Sequence, residues 1–146
     1  MRSVTIAAAA LAVVLCTSCG GGGSTEQQII NSLEAKLQSV AGDWTGIANS
    51  PNTLRLDFTL QEGPNGQVSG AGTMKADSAA AAIPITVTGT FQRPVLSLAF
   101  DGMVVESRQV KGVAQGSNTT VGGIATTLTL TAPGYSRDIA ILLQEK

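Results

Sequence analysis

The side chains with the most chemistry in them lie in one short run. Glu106, Ser107, Arg108, Gln109 and Lys111 put an acid, a hydroxyl, a guanidinium, an amide and an amine close together, and Asp57, Asp77, Asp101 and Asp138 add carboxylates elsewhere. Two carboxylates facing one pocket could do general acid–base work, yet nothing in the spacing pairs any of these inside one site. The 146-residue chain has no histidine, and its two cysteines, Cys16 and Cys19, fall at its very start. That excludes Ser–His–Asp and Cys–His catalysis and any thiolate–imidazole metal centre. Nine Lys+Arg against ten Asp+Glu, scattered, give a net charge of −1. Nucleic-acid binding needs a clustered positive footprint, which is missing here. The expectation is a non-enzyme with no cofactor, no metal and no nucleic-acid partner.

The two cysteines need a context, and residues 1–24 supply one. Arg2 precedes an apolar run from Val4 to Leu15, too short for the about 20 residues of a membrane-spanning helix. A positive start, a short apolar middle and a small-residue end read as a secretory signal peptide. The stretch Leu15-Cys16-Thr17-Ser18-Cys19 resembles the lipobox of bacterial lipoproteins. That resemblance implies cleavage after Ser18 and acylation of Cys19, palmitate included. Cys16 is the poorer candidate, because the bulky Leu15 stands where a small residue is wanted. A secreted soluble protein with one unpaired thiol is the alternative. Two or more acyl chains give a stable membrane anchor. By resemblance to sorted bacterial lipoproteins, Gly20 rather than Asp after the cysteine implies the outer membrane of a Gram-negative cell envelope, on its periplasmic side or its surface.

The chain then divides into 1–18 as signal peptide, 19–24 as lipidated cysteine and Gly/Ser tether, 25–41 as an amphipathic helix and 42–146 as a β-barrel domain. Gly20 to Ser24 make a flexible spacer. Ile29 or Ile30, Leu33, Leu37 and Val40 recur at three- and four-residue spacing, the stripe of an amphipathic helix. The polar face is not basic, so docking of the stripe on the chain's own domain is favoured over a membrane surface.

From residue 43 the period changes to two. Leu54, Leu56, Phe58 and Leu60 alternate with Arg55, Asp57 and Thr59, and four further runs do the same through Ile139, Ile141 and Leu143. Turn residues separate eight such strands. Eight sequential antiparallel strands lose their exposed edges by closing, which predicts an up-and-down barrel; a two-sheet sandwich is the competitor.

Gly42-Asp43-Trp44-Thr45-Gly46, at the head of the first strand after a short helix, resembles the Gly-x-Trp opening of the calycin superfamily of lipocalin-like and avidin-like barrels. Val68 to Thr73, Val-Ser-Gly-Ala-Gly-Thr, resembles the third strand of small bacterial lipoproteins of that kind. The resemblance implies that Trp44 packs under a basic residue of the last strand, which here falls to Lys146.

Asp101-Gly102 between apolar runs is a two-residue hairpin signal. A hairpin there directs Leu98, Phe100, Met103, Val105, Ser107, Gln109 and Lys111 inward and Glu106 and Arg108 outward; a bulge before Glu106 reverses the assignment. Phe58, Phe91, Leu98, Phe100, Ser107 and Gln109 are thus the candidate ligand-lining residues. Two functions follow from this. One is a membrane-anchored lipoprotein whose barrel is structural or binds a protein; the other is a lipocalin-like carrier of a small apolar ligand.

Overall fold

The computed structural model describes residues 25–48, 53–76, 80–118 and 123–146. Period-2 alternation resolves into eight strands: β1 Gly42–Ala48, β2 Leu54–Glu62, β3 Gln67–Lys75, β4 Ile83–Gln92, β5 Val95–Val105, β6 Arg108–Ser117, β7 Ile124–Ala132 and β8 Tyr135–Glu145. Each pairs antiparallel with its sequence neighbour, and β8 closes on β1, giving an up-and-down barrel. The closing seam runs from Trp44↔Glu145 to Ile47↔Leu142, and the Lys146 amide extends it by donating to the Asp43 carbonyl at 2.8 Å. Closure leaves no strand at an open sheet edge.

The main apolar set of each strand faces inward, whereas Ile47, Val113 and Leu142 are large hydrophobics exposed on the outside. Leu56, Met74, Met103, Leu128 and Leu130 are fully buried, whereas Arg55, Thr86, Thr88, Thr127 and Thr131 lie on the outside. This is the polarity of a water-exposed barrel, the reverse of one whose strands cross a bilayer. Inward glycines set its tight coiling. A Cβ on Gly72 would lie 2.1 Å from the Asp57 carbonyl oxygen, and one on Gly89 would lie 2.0 Å from that of Ser97. Only glycine permits strands to cross that closely.

Asp101-Gly102 is not the hairpin expected of it. It forms a bulge within β5, where the pairing slips between Phe100↔Gly112 and Met103↔Val110. Gly102 takes φ +82° and its amide binds Asp101 Oδ1 at 3.0 Å. The chain reverses instead at Glu106-Ser107, both at positive φ, as a tight twisted hairpin requires. Two ordinary residues thus make the turn that Asp-Gly advertises. Met103 and Val105 still point inward, but beyond the turn the inward set is Val110, Gly112 and Ala114. Ser107, Gln109 and Lys111 are exposed, which corrects their expected interior placement.

The helix α1, Thr25–Gln38, reaches the barrel only through its C-terminal end. Asn118 Nδ2 donates to the Leu37 carbonyl at 3.4 Å. Val40, 1% exposed, is seated in the barrel floor, with its amide on Glu62 Oε1 at 2.6 Å and its carbonyl accepting from Trp44 Nε1 at 2.9 Å. The expected docking of the Ile/Leu stripe on the domain does not occur: Ile29, Ile30 and Leu33 are 53%, 47% and 39% exposed. Val40 and Trp44 already fill the floor; the outer wall does carry apolar side chains, Ile47, Val113 and Leu142, but they stay exposed, as the stripe does.

Candidate functional site

Among the described residues, the places that could serve a ligand or partner include the interior, the upper mouth, a groove on the outer wall and the charged closing seam. In the interior, Phe58, Phe91, Leu98 and Phe100 all face inward and are buried. Their alternation put them there. Phe58 and Phe100 meet edge to face with centroids 5.5 Å apart and planes at 75°, a favoured geometry for aromatic pairs. Leucines and methionines from facing strands close around this pair. All four candidate lining residues lie in the one buried apolar cluster, with Phe58 and Phe100 in direct contact.

The upper mouth, at the end away from the helix, is closed by polar side chains that sequence reasoning had not joined. Arg137 on β8 points inward and its Nη1 meets Glu106 Oε1 at 3.2 Å. Arg108 lies over the Tyr135 ring, 5.1 Å from its centroid, within reach of a cation–π attraction. Beneath them, Leu54, Val105 and Ile139 bound a space of about 40 Å3. Room for about one water takes 10–15 Å3 of such volume, so this pocket holds solvent and no drug-sized molecule. Glu106, in the turn, and Arg108, the register partner of inward-facing Val105, are exposed at the rim and close the mouth. The bulge before Glu106 puts Arg108 on the lumen side and so reverses its expected outward placement.

The groove lies outside. Gln109 and Lys111, with Asp101 and Thr131, rim an open depression of about 400 Å3 whose base is Met103 and Val110. It exists because the β6–β7 ladder begins only at Lys111↔Thr131, leaving Arg108 to Val110 unpaired on that side, and because the β5 bulge pulls the opposite wall away. Ser107 stays in the turn, apart from this groove.

At the seam, Trp44 and Lys146 part company. Lys146 stands next to Trp44 along the ladder, as antiparallel closure demands, but it follows Glu145, the register partner of the inward-facing Trp44. One residue further along, the side chain points out. Its Nζ pairs with Asp57 Oδ1 at 2.7 Å, and the ring nitrogen of Trp44 binds Val40 instead. The expected packing of a basic side chain under Trp44 is corrected accordingly.

Asp57 is gripped from both sides, with Arg55 Nε at 2.7 Å from Oδ2. The Arg55 guanidinium holds the Asp57 carboxyl well below the usual carboxylate range; partial burial opposes this and the Lys146 ammonium reinforces it. A depressed carboxylate stabilises the fold above its unfolded-state pKa, near 4, and that stabilisation is lost as pH falls below it. Asp57 stays open to solvent, which limits its contribution to at most about 1 kcal/mol. Asp57→Asn is expected to lower the urea midpoint slightly at pH 7. It should also flatten the loss of stability between pH 5 and pH 2 compared with the parent.

Cys19, the tether and Asp77 lie outside the described residues. Comparison with protein-family models, curated proteins and solved structures gives no match.

Proposed function

We propose that this chain is a lipid-anchored protein of the cell envelope whose solid barrel is a structural or protein-docking module, neither a carrier nor a catalyst. The observation that carries this reading is the packed centre. Phe58 and Phe100 fill the mid-plane, Val40 and Trp44 seal the floor, and about 40 Å3 remains under the mouth. Sites for small molecules typically enclose about 300–1,000 Å3. Three ion pairs, Arg55–Asp57, Lys146–Asp57 and Arg137–Glu106, lie on the outside or in the mouth, and no carboxylate pair faces a pocket among the described residues. A water-facing barrel wall also means that attachment to a membrane has to come from outside the barrel, which is where the lipobox-like Cys19 stands.

Two measurements test it. In the producing host, Cys19→Ser is expected to abolish palmitate labelling and move the protein to the soluble fraction, whereas Cys16→Ser leaves both unchanged. Labelling that follows Cys16 would overturn the anchor assignment. Native mass spectrometry of the full protein, extracted from its own membrane, is expected to show acyl chains and no dissociable small molecule. A reproducible adduct lost on denaturation would overturn the solid-barrel reading in favour of the carrier.

A further inference from the structure

We infer that α1 is a membrane-apposed helix, with Ile29, Ile30 and Leu33 inserted at the headgroup–acyl boundary of the bilayer that holds the lipid anchor. This rests on the anchor at Cys19 proposed above and adds what that anchor is for. The helix fixes the distance and attitude of the barrel floor over the membrane.

Every described side chain of α1 from Thr25 to Glu34 is exposed, the three aliphatic ones included. The helix is not a loose tail, because its far end is pinned: Leu37 and Val40 are tied to the barrel by Asn118, Glu62 and Trp44. At about 100° per residue, Ile29, Ile30, Leu33 and Leu37 fall within an arc of about 100°. Leu37, half-buried near the pinned end, thus lies on the same face as the three exposed aliphatic side chains. Glu26 interrupts that face only in the first turn, where a carboxylate suits the helix N-terminus. Opposite lie Gln27 and Asn31, bonded side chain to side chain at 3.0 Å.

The tether selects the occupant. Five residues, Gly20 to Ser24, separate Cys19 from the helix. At no more than about 3.6 Å per residue, the chain from Cys19 to Thr25 spans at most roughly 20 Å. An acylated Cys19 therefore keeps the apolar stripe within about one helix length of the bilayer, and the anchor has already met the entropic cost of bringing it there. A second copy is the weaker occupant. Three partly exposed aliphatic side chains fall well short of the roughly 800 Å2 per partner of a stable interface. The near-neutral polar face means that insertion is driven by apolar burial, with the lipid anchor substituting for the basic residues such helices otherwise use.

The test uses the full acylated protein in phosphatidylethanolamine/phosphatidylglycerol vesicles with brominated acyl chains, which quench tryptophan on contact. Ile30→Trp and Asn31→Trp add a reporter at neighbouring positions about 100° apart around the helix, one within the stripe and one outside it, and Trp44, the single native tryptophan, gives the background. Quenching of the added tryptophan at 30 is expected to exceed that at 31 by about twofold or more. Equal, weak quenching at both positions in protein that carries its acyl chains and floats with the vesicles would overturn the apposed helix and leave the anchor standing. Cross-linking of α1 to α1 between copies under those conditions would overturn it in favour of a dimer. A protein that carries no acyl mass and does not float would overturn both readings together.

Discussion

Replacing Gly72 by alanine is expected to cost more than about 3 kcal/mol and to leave the protein largely unfolded at moderate urea. The added methyl group would stand 2.1 Å from the Asp57 carbonyl oxygen and 2.5 Å from Phe58 Cα. These are backbone atoms of the neighbouring strand, so no rotamer change relieves the clash. Gly72 is the register partner of Phe58 on one side and of Ile85 on the other, and separating β3 from β2 would break the ladder over which the Phe58–Phe100 contact is built. A small domain has only about 5–15 kcal/mol of net stability, and clashes against fixed backbone belong to the few mechanisms that remove several at once. The matched control is Gly134→Ala in the β7–β8 turn. Gly134 sits at φ +69°, and a methyl group added there would meet nothing within 4 Å, so the cost is the left-handed backbone alone, about 1–2 kcal/mol. Urea unfolding of the two variants separates crowding from conformation. A Gly72→Ala loss no larger than that of Gly134→Ala would mean the strands are not held that close.

The barrel was legible in the sequence because alternation and closure are linked. Leu54 to Leu60 and Ile83 to Phe91 can bury one face only as strands, and eight in succession leave two edges unless they meet. The inward set also followed wherever a strand was unbroken, as for Phe58, Phe91, Leu98 and Phe100. It failed where register changed hands. Asp101-Gly102 carries the residues of a two-residue hairpin, but the same preference for positive φ is met by a bulge, and tertiary pairing with β6 decided between them. Glu106-Ser107 has no such mark, since neither residue favours positive φ. One misplaced turn was enough to put Ser107, Gln109 and Lys111 on the wrong face.

The same parity explains Lys146. Strand order placed it beside Trp44, yet a single residue past Glu145 turned its side chain to Asp57 on the outside. The helix shows a different limit. Periodicity gave α1 and its stripe, whereas what meets a stripe depends on surfaces contributed by the rest of the chain, and this barrel buries most of its apolar side chains while Ile47, Val113 and Leu142 stay exposed. The mouth pairs Arg137–Glu106 and Arg108–Tyr135 join residues about 30 positions apart in the chain, a pairing set by the β5–β6 turn and therefore hidden along with it.

Phe100→Ala tests the solid centre, and with it the reading of the protein as something other than a carrier. Phe100 is 2% exposed and stands edge-on to Phe58 at mid-barrel. Truncation in a packed core costs the lost transfer energy plus a term for the space left behind, about 3–5 kcal/mol for phenylalanine. The walls cannot collapse freely into that space, because β5 is fixed between β4 and β6 by ladders on both sides. The variant should therefore fold with a lower urea midpoint, retain a dry apolar cavity and take up a small apolar molecule such as benzene, raising its midpoint again as the ligand is added. The parent should show no such response. A parent stabilised by benzene, or a Phe100→Ala variant losing less than about 1.5 kcal/mol, would indicate that space already exists beside the ring. The interior would then be a binding chamber, and the search for what this protein does would return to its lumen. If the variant alone responds, the working surfaces are the outer groove, the mouth and the helix, where partners have to be sought.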